Sequence, residues 1–285
     1  MTSSEMPRSL RLGLIGGNIT ATRSPALHVV CGLSLRCNVT YDLIIPAERG
    51  KGFAAVLADC AAQGFDGVNV TYPHKEEAAS LVAPGDAVVA AMGAANTVKF
   101  TPSGPLAFNT DYAGFKAAYH AAFGAVLPGR VMVLGSGGVG RAVAFGLADL
   151  HASELVLVDR EPAKVARLAE ALRAYAPLLK VVSGHSGVEA DLKGFDGVVN
   201  CTPLGMVGCP GSALPEGVRG ALRWAFDAVY TPIDTRFRAQ VEGLGARFLS
   251  GYELYFHQGI NAFEIFSDLH VSDPGWVREI IQRGS

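Results

Sequence analysis

Neither sign of charge dominates this chain. Its 285 residues carry 24 Lys or Arg against 26 Asp or Glu, a net charge of −2. There is therefore no broad basic field to hold a phosphate backbone or an anionic membrane surface, and nucleic acid is not an expected partner. Paired cysteines are missing as well. The five present, Cys31, Cys37, Cys60, Cys201 and Cys209, are odd in number, scattered and never spaced as CxxC, which argues against a disulfide framework and for reduced thiols in the cytoplasm. The seven histidines form no HxxxH or HxH pair and share no zinc spacing with a cysteine, so no metal site is expected. No apolar run approaches the length of a bilayer span, and the opening MTSSEMPRSL lacks the apolar core of a secretory signal. The first several residues read as a frayed tail, and no membrane association is expected.

What is present is apolar and periodic. With 49% hydrophobic and 18% charged residues, 285 residues can bury a large core, and the length suits two domains. From Leu10 onward, short β-rich runs alternate with alanine-rich stretches, the pattern of parallel strands joined by crossover helices, so the fold class is α/β. Strands are expected at Leu10–Ile15, Thr40–Ile45 and Gly67–Thr71, with helices around Pro25–Leu33 and Gly52–Gln63 between them. A second set of strands is expected at Arg130–Leu134, Glu154–Val158, Leu179–Val182, Gly197–Asn200 and Trp224–Asp227. A helix over Tyr112–Phe123, followed by the turn residues Leu127, Pro128 and Gly129, marks the change of domain. After Gly251 the chain reads as helix to Leu269 and again over Pro274–Gln282, with no further strand signal.

The run VMVL passes directly into Gly135, Ser136, Gly137, Gly138, Val139 and Gly140 and then into the helix-compatible RAVAFGLADL. Strand, glycine turn and helix in this order form a dinucleotide fingerprint. Gly135 permits the tight turn, Gly137 lets the backbone approach a pyrophosphate, and Gly140 lets helix press on strand, while the amides at the helix start hold the anion. A plain glycine-rich turn is the other reading of such a motif, but a second strand, ELVLV, ends at Asp159 about 20 residues beyond the last glycine, where a carboxylate receives the ribose hydroxyls. It would repel a 2′-phosphate, so Asp159 favours NAD. Arg160 beside it could pair with a 2′-phosphate or stand solvated in a turn, which leaves NADP open.

Two other clusters draw attention. In GVNVTYPHK a strand-like run ends in a turn that projects Lys75, although a lysine after a strand is usually a solvated charge. Asn96 and Thr97 in AANTV, then Asn109, Thr110 and Asp111 in FNTDYAGF, read equally as turn and cap residues, with Asp111 placed to cap the helix that follows.

The order of these blocks resembles the shikimate and quinate dehydrogenase family over nearly the whole chain. LGLIGGNITATRSPALH is similar to that family's opening segment with its hydroxyl pair and proline. NVTYPHK, AANT, NTDYAGF, GSGGVGRAVA, NCTPLGM, FDAVYTPIDT and GYELYFHQGINAFEIF follow in the family's order. The resemblance implies a substrate-binding α/β domain built from residues 1–112 and 251–285, with a Rossmann-type doubly wound NAD(P) domain over 113–250. It implies that Lys75 and Asp111 form a catalytic pair and that Asn96 and Gln258 contact ring hydroxyls. Thr22, Ser24 and Tyr230 match carboxylate-binding positions, Thr71 lies beside the substrate, and Thr202, Met206, Val229 and Gly251 lie near the nicotinamide.

The residue types suit hydride transfer between a nicotinamide and the ring alcohol of a small hydroxy acid. Lys75 could exchange the hydroxyl proton or stabilise the developing alkoxide as a fixed cation. Neutral hydroxyls such as Thr22 and Ser24 can bind a carboxylate without an arginine. The family commonly has a histidine ahead of a serine pair separated by leucine. Here the segment is Ala21, Thr22, Arg23, Ser24, and a threonine in that pair resembles quinate-using members. The expectation is an NAD-using enzyme, monomer or homodimer, that oxidises quinate, shikimate or both. A non-catalytic sensor of the same fold and a paralogue acting on another hydroxy acid are the alternatives. His74, His257 and Cys201 read as structural, Cys201 as a small residue ending a buried strand. Met206 reads either as nicotinamide packing or as core filling.

Overall fold

The computed structural model describes residues 8–17, 19–20 and 22–283; the expected tail and Ala21 lie outside them. The chain divides into two units, one running to Thr110 and resuming at Gln258, the other spanning Asp111–His257. Along the first come β1 (Ser9–Ile15), α1 (Ser24–Ser34), β2 (Asn38–Ile44), α2 (Phe53–Ala62), β3 (Gly67–Val70), α3 (Lys75–Leu81), β4 (Ala83–Pro84), α4 (Ala87–Met92), β5 (Thr97–Thr101) and β6 (Gly104–Phe108). The chain continues through α5 (Thr110–Phe123), β7 (Arg130–Leu134), α6 (Gly138–Asp149), β8 (Glu154–Val158), α7 (Pro162–Tyr175), β9 (Lys180–Ser183), β10 (Gly197–Asn200), β11 (Trp224–Asp227), α8 (Arg236–Gly243) and β12 (Arg247–Ser250). It ends with α9 (Gly251–Ser267) and α10 (Pro274–Arg283).

The first sheet has the order β2-β1-β3-β5-β6-β4. β1 runs parallel to β2 and β3, but β5 and β6 form an antiparallel hairpin beside them. The hairpin departs from the purely parallel expectation. Its turn carries Thr101, Pro102, Ser103 and Gly104, and Gly104 takes a φ of +119° that other residues avoid. Every residue of β3 is buried, so GVNV shows the continuous apolar character of a strand covered on both faces rather than an alternation. Ile15, Ile44, Phe53, Val56, Val68 and Val98 fill one core. On α9, Phe266 lies over β3 so closely that a Cβ on Gly67 would come within 2.3 Å of its ring.

Within this unit His28 of α1 is 1% exposed and stacks on Tyr41 at 4.9 Å. Burial lowers its pKa from the ordinary 6.5 to about 3, against the opposing effect of a hydrogen bond with Asn69. The folded protein therefore holds a neutral ring where the unfolded chain binds a proton. Stability is full above pH 6.5 and declines as pH falls below it. Substituting His28 by Gln should flatten the decline, which in the wild type amounts to about 2–3 kcal/mol by roughly pH 4.5. Denaturant midpoints across that range check this, and an unchanged slope in the variant contradicts it.

The second sheet is parallel throughout, with the order β12-β11-β10-β7-β8-β9. Numbered from its first strand this is 3-2-1-4-5-6 read from the β9 edge, the doubly wound arrangement. The direction of winding reverses between β7 and β10, and ligands of such sheets bind beyond the strand ends at that reversal. β12 is a four-residue edge strand beyond those expected from sequence. Helix α5 covers the sheet with an aromatic cluster. Phe115 meets Phe226 edge-on at 5.2 Å, Tyr119 meets Trp224 at 5.1 Å, and the Trp224 indole donates to the Pro128 carbonyl at 3.0 Å.

Candidate active site

At the point of reversal, β7 passes into Gly135, which has a φ of +95°. A side chain there would face strain from the backbone and contact with the Cys201 carbonyl at 2.9 Å, so the loops after β7 and β10 touch directly. Gly140, in the first turn of α6, sits so close to that bend that a Cβ would come within 1.9 Å of the Gly135 oxygen. Gly137 differs. Its φ of −76° is open to any residue, and no atom of the chain lies within 4 Å of where its Cβ would be. The first two glycines are therefore required by packing of the chain on itself, while Gly137 leaves an open surface on which something else can rest. Gly138 and Val139 begin α6, whose amides point at that surface. Ser136 is 1% exposed, and its hydroxyl makes no hydrogen bond within the described residues. A buried, unsatisfied hydroxyl beside an open glycine and a helix start fits a pyrophosphate oxygen.

Asp159 follows β8, and its carboxylate reaches this loop. One oxygen accepts from the Ser136 amide at 2.6 Å and the other from the Glu161 amide at 2.9 Å. Arg160 is exposed beside it. The ends of β10 and β11 are tied by a polar network that sequence patterning did not single out. Asn200 donates to Asp227 at 2.9 Å and to the Leu204 carbonyl at 3.2 Å, and its oxygen accepts from the amide and hydroxyl of Thr202. Asp227 also accepts from the Val229 amide at 3.0 Å and the Thr235 hydroxyl at 2.7 Å. Burial pushes the Asp227 carboxyl up against the opposing pull of those donors. The network fixes the loops bearing Thr202, Val229 and Tyr230. The available signal was one polar residue closing each of two apolar strands, GVVN and WAFD.

Tyr230 stacks on Tyr255 at 5.2 Å. Gly251 opens α9 so near the Asp227 and Ala228 carbonyls that a Cβ would lie 2.5 Å from the latter. Met206 is 40% exposed, which rules out core filling as its role. Burial raises the Cys201 thiol well above its ordinary value, which disfavours the thiolate.

In the other unit, Thr71 follows β3, and its methyl packs against Gly16 beyond β1. Lys75 begins α3, half-buried, and its carbonyl accepts from the Ala95 amide at 2.8 Å. An ammonium at the positive end of a helix gains nothing from the macrodipole, so helix stability does not account for a lysine there. Thr22 and Ser24 place their hydroxyl oxygens 3.1 Å apart at the start of α1. Asn96, 4% exposed, accepts through its side-chain oxygen from the Thr110 amide at 2.7 Å, and the Thr110 hydroxyl reaches Gln258 of α9 at 3.2 Å. The structure thus joins Asn96 to Gln258 through Thr110. Asp111 lies inside the first turn of α5 rather than ahead of it as a cap. Among the described residues no cluster of three metal-ligating side chains occurs and no helix is long and apolar enough to cross a membrane.

Residues 14–98 match the family model of the shikimate dehydrogenase substrate binding domain. A quinate/shikimate dehydrogenase (NAD(+)) of Corynebacterium efficiens is 34% identical, the match covering 92% of this chain and 94% of that protein. Among solved structures, quinate dehydrogenase from Corynebacterium glutamicum in complex with NAD superposes with a TM-score of 0.87 at 31% identity, over 97% of this chain and 99% of that one. Shikimate 5-dehydrogenase from Thermus thermophilus in complex with NADP(H) and shikimate gives 0.81 at 30% identity, over 97% and 100%.

Proposed function

Since the chain belongs to the shikimate and quinate dehydrogenase family, we propose that it catalyses the reversible NAD-dependent oxidation of quinate, shikimate or both at a ring alcohol. The observation that carries the cofactor half is the Gly135–Gly140 turn at the reversal of a doubly wound sheet, with the Asp159 carboxylate against it. The nicotinamide, when bound, accepts the hydride. Ser136, Gly137 and the α6 amides hold the pyrophosphate, Asp159 receives the ribose hydroxyls, and Thr202, Met206, Val229 and Gly251 border the nicotinamide.

On the substrate side, Thr22, Ser24 and Tyr230 take the carboxylate, Thr71 lies against the ring, and Asn96 and Gln258 bind the ring hydroxyls. Lys75, beside the Asp111 carboxylate that orients it, either takes the carbinol proton as a neutral amine and becomes the ammonium as the hydride leaves, or stays an ammonium and stabilises the alkoxide. The relatives' names couple NAD with quinate/shikimate dehydrogenases and NADP(H) with a shikimate 5-dehydrogenase. Asp159 supports NAD here because a carboxylate at that position repels a 2′-phosphate. A small soluble acid as substrate and five free thiols, three of them buried, suit a cytoplasmic enzyme.

Steady-state kinetics with quinate and shikimate, each crossed with NAD and NADP, test this reading. Turnover with NAD and at least one of the acids is expected; none with any pair removes it. Asp159→Ala should lower the ratio of kcat/KM for NAD over NADP by about 10- to 100-fold, the loss of a charge-assisted bond to the ribose. The ratio separates ribose recognition from the support that Asp159 gives the Ser136 amide, which serves both cofactors alike. An equal loss for both would show the selectivity to lie elsewhere.

A further inference from the structure

We propose that Thr110 is a positioning residue that aims the side-chain amides of Asn96 and Gln258 at the ring hydroxyls of the substrate. This rests on the reading above, in which those two amides contact the ring. The oxygen and nitrogen of an amide are told apart by their partners, and here a backbone group decides. The Thr110 amide can only donate, and it points at Asn96 from 2.7 Å, so the atom it meets is the Asn96 oxygen. The Thr97 hydroxyl donates to the same oxygen at 3.0 Å. Thr97 is in turn held by Asn69, whose nitrogen donates to the Thr97 hydroxyl at 3.2 Å and to the Asn96 carbonyl at 3.4 Å, while its oxygen accepts from Tyr41 at 2.9 Å. A carbonyl can only accept, so the Asn69 amide is oriented as well.

The Thr110 hydroxyl lies between the two amides, 3.2 Å from the Asn96 oxygen and 3.2 Å from the Gln258 oxygen. Both amide oxygens therefore turn towards Thr110. The Asn96 Nδ2 makes no hydrogen bond to a described residue, yet it is not among the sealed, unsatisfied polar atoms. It is a donor with its direction set and its partner still to come, which suits the oxygen of a ring hydroxyl. Thr110 does this with a backbone amide and a hydroxyl at once, and it is 0% exposed, so it acts through Asn96 and Gln258 without touching substrate.

Removing only the hydroxyl in Thr110→Val leaves the backbone donor to Asn96 and takes away the one group that meets both amide oxygens. The test compares kcat/KM for the preferred acid with that for an analogue lacking one ring hydroxyl next to the reacting carbon. In the wild type the missing hydroxyl should cost at least tenfold. In Thr110→Val that ratio should fall by about tenfold, the value of one hydrogen bond, with NAD affinity of the protein alone unchanged and the ratio restored in Thr110→Ser. Thr110→Ala, which adds no buried methyl, carries the same comparison if the valine variant does not fold. A wild-type ratio retained in the hydroxyl-free variants overturns the role of Thr110 alone. A wild-type enzyme indifferent to every ring hydroxyl beside the reacting one overturns the substrate reading, and this proposal with it.

Discussion

Lys75→Ala is expected to lower kcat by about a thousandfold while NAD affinity and the unfolding midpoint stay near those of the wild type, because a positioned proton-transfer group contributes on the order of 10²–10⁴ in rate. The side chain is half-buried at the first position of α3, and the fold depends there on its backbone, whose carbonyl receives the Ala95 amide. That bond survives truncation. The loss should therefore appear in kcat and not in stability. Lys75→Arg separates the two chemical roles open to the lysine. Guanidinium keeps the charge but does not give up its proton near neutral pH. Failure of arginine to restore turnover assigns proton transfer to Lys75, and substantial recovery assigns electrostatic stabilisation of the alkoxide. Near-wild-type kcat in Lys75→Ala would contradict both.

The second large effect distinguishes two glycines of one loop. In Gly140→Ala the new methyl would stand 1.9 Å from the Gly135 carbonyl oxygen, so either the turn or α6 must move. The helix propensity gained from alanine, about 1 kcal/mol, is smaller than the cost of forcing backbone apart, about 1–3 kcal/mol. Both stability and cofactor binding should fall, with KM for NAD raised by about 100-fold or more as the amides of α6 lose their aim. Gly137→Ala should behave otherwise. Its backbone is unstrained and its Cβ would meet nothing within 4 Å, so the unfolding midpoint should hold. The methyl would stand where a pyrophosphate approaches, and KM for NAD should rise by about tenfold or more. Thermal unfolding and NAD titration of the two variants check the pair. Normal NAD binding in Gly137→Ala would place the pyrophosphate elsewhere.

The parts of this fold that sequence makes plain are those where one pattern dominates. VMVL, ELVLV and GVVN are short apolar runs between glycine and turn residues, and all three became central strands of the second sheet. The glycine turn was equally plain, since its spacing reflects the close approach now visible between Gly140 and Gly135. The β5–β6 hairpin was harder. Asn96 and Thr97 look like turn residues, and Lys99 within Thr97–Thr101 interrupts the apolar run, because strand β5 is fixed by pairing with β3 across a long sequence gap rather than by local preference. β12, with four residues at a sheet edge, offers too short a period to read.

For the site, the polar residues closing apolar strands were visible as residues but not as a network. Asn200 and Asp227 belong to strands 27 residues apart in sequence, and nothing local announces that their side chains meet. The roles proposed for Thr22, Ser24, Asn96, Tyr230 and Gln258 come only from family resemblance. Hydroxyls and amides of this kind occur on every protein surface, and their meaning lies in what they surround.

The central claim is that a hydride passes from a ring carbinol carbon of quinate or shikimate to a bound nicotinamide. Its most direct test uses either acid labelled with deuterium at that carbon, incubated with the purified protein and NAD, and mass analysis of the reduced cofactor recovered. The account predicts reduced cofactor carrying one deuterium, formed more slowly than from the unlabelled acid if the transfer limits turnover. Reduced cofactor without deuterium, or none from either acid, would contradict it.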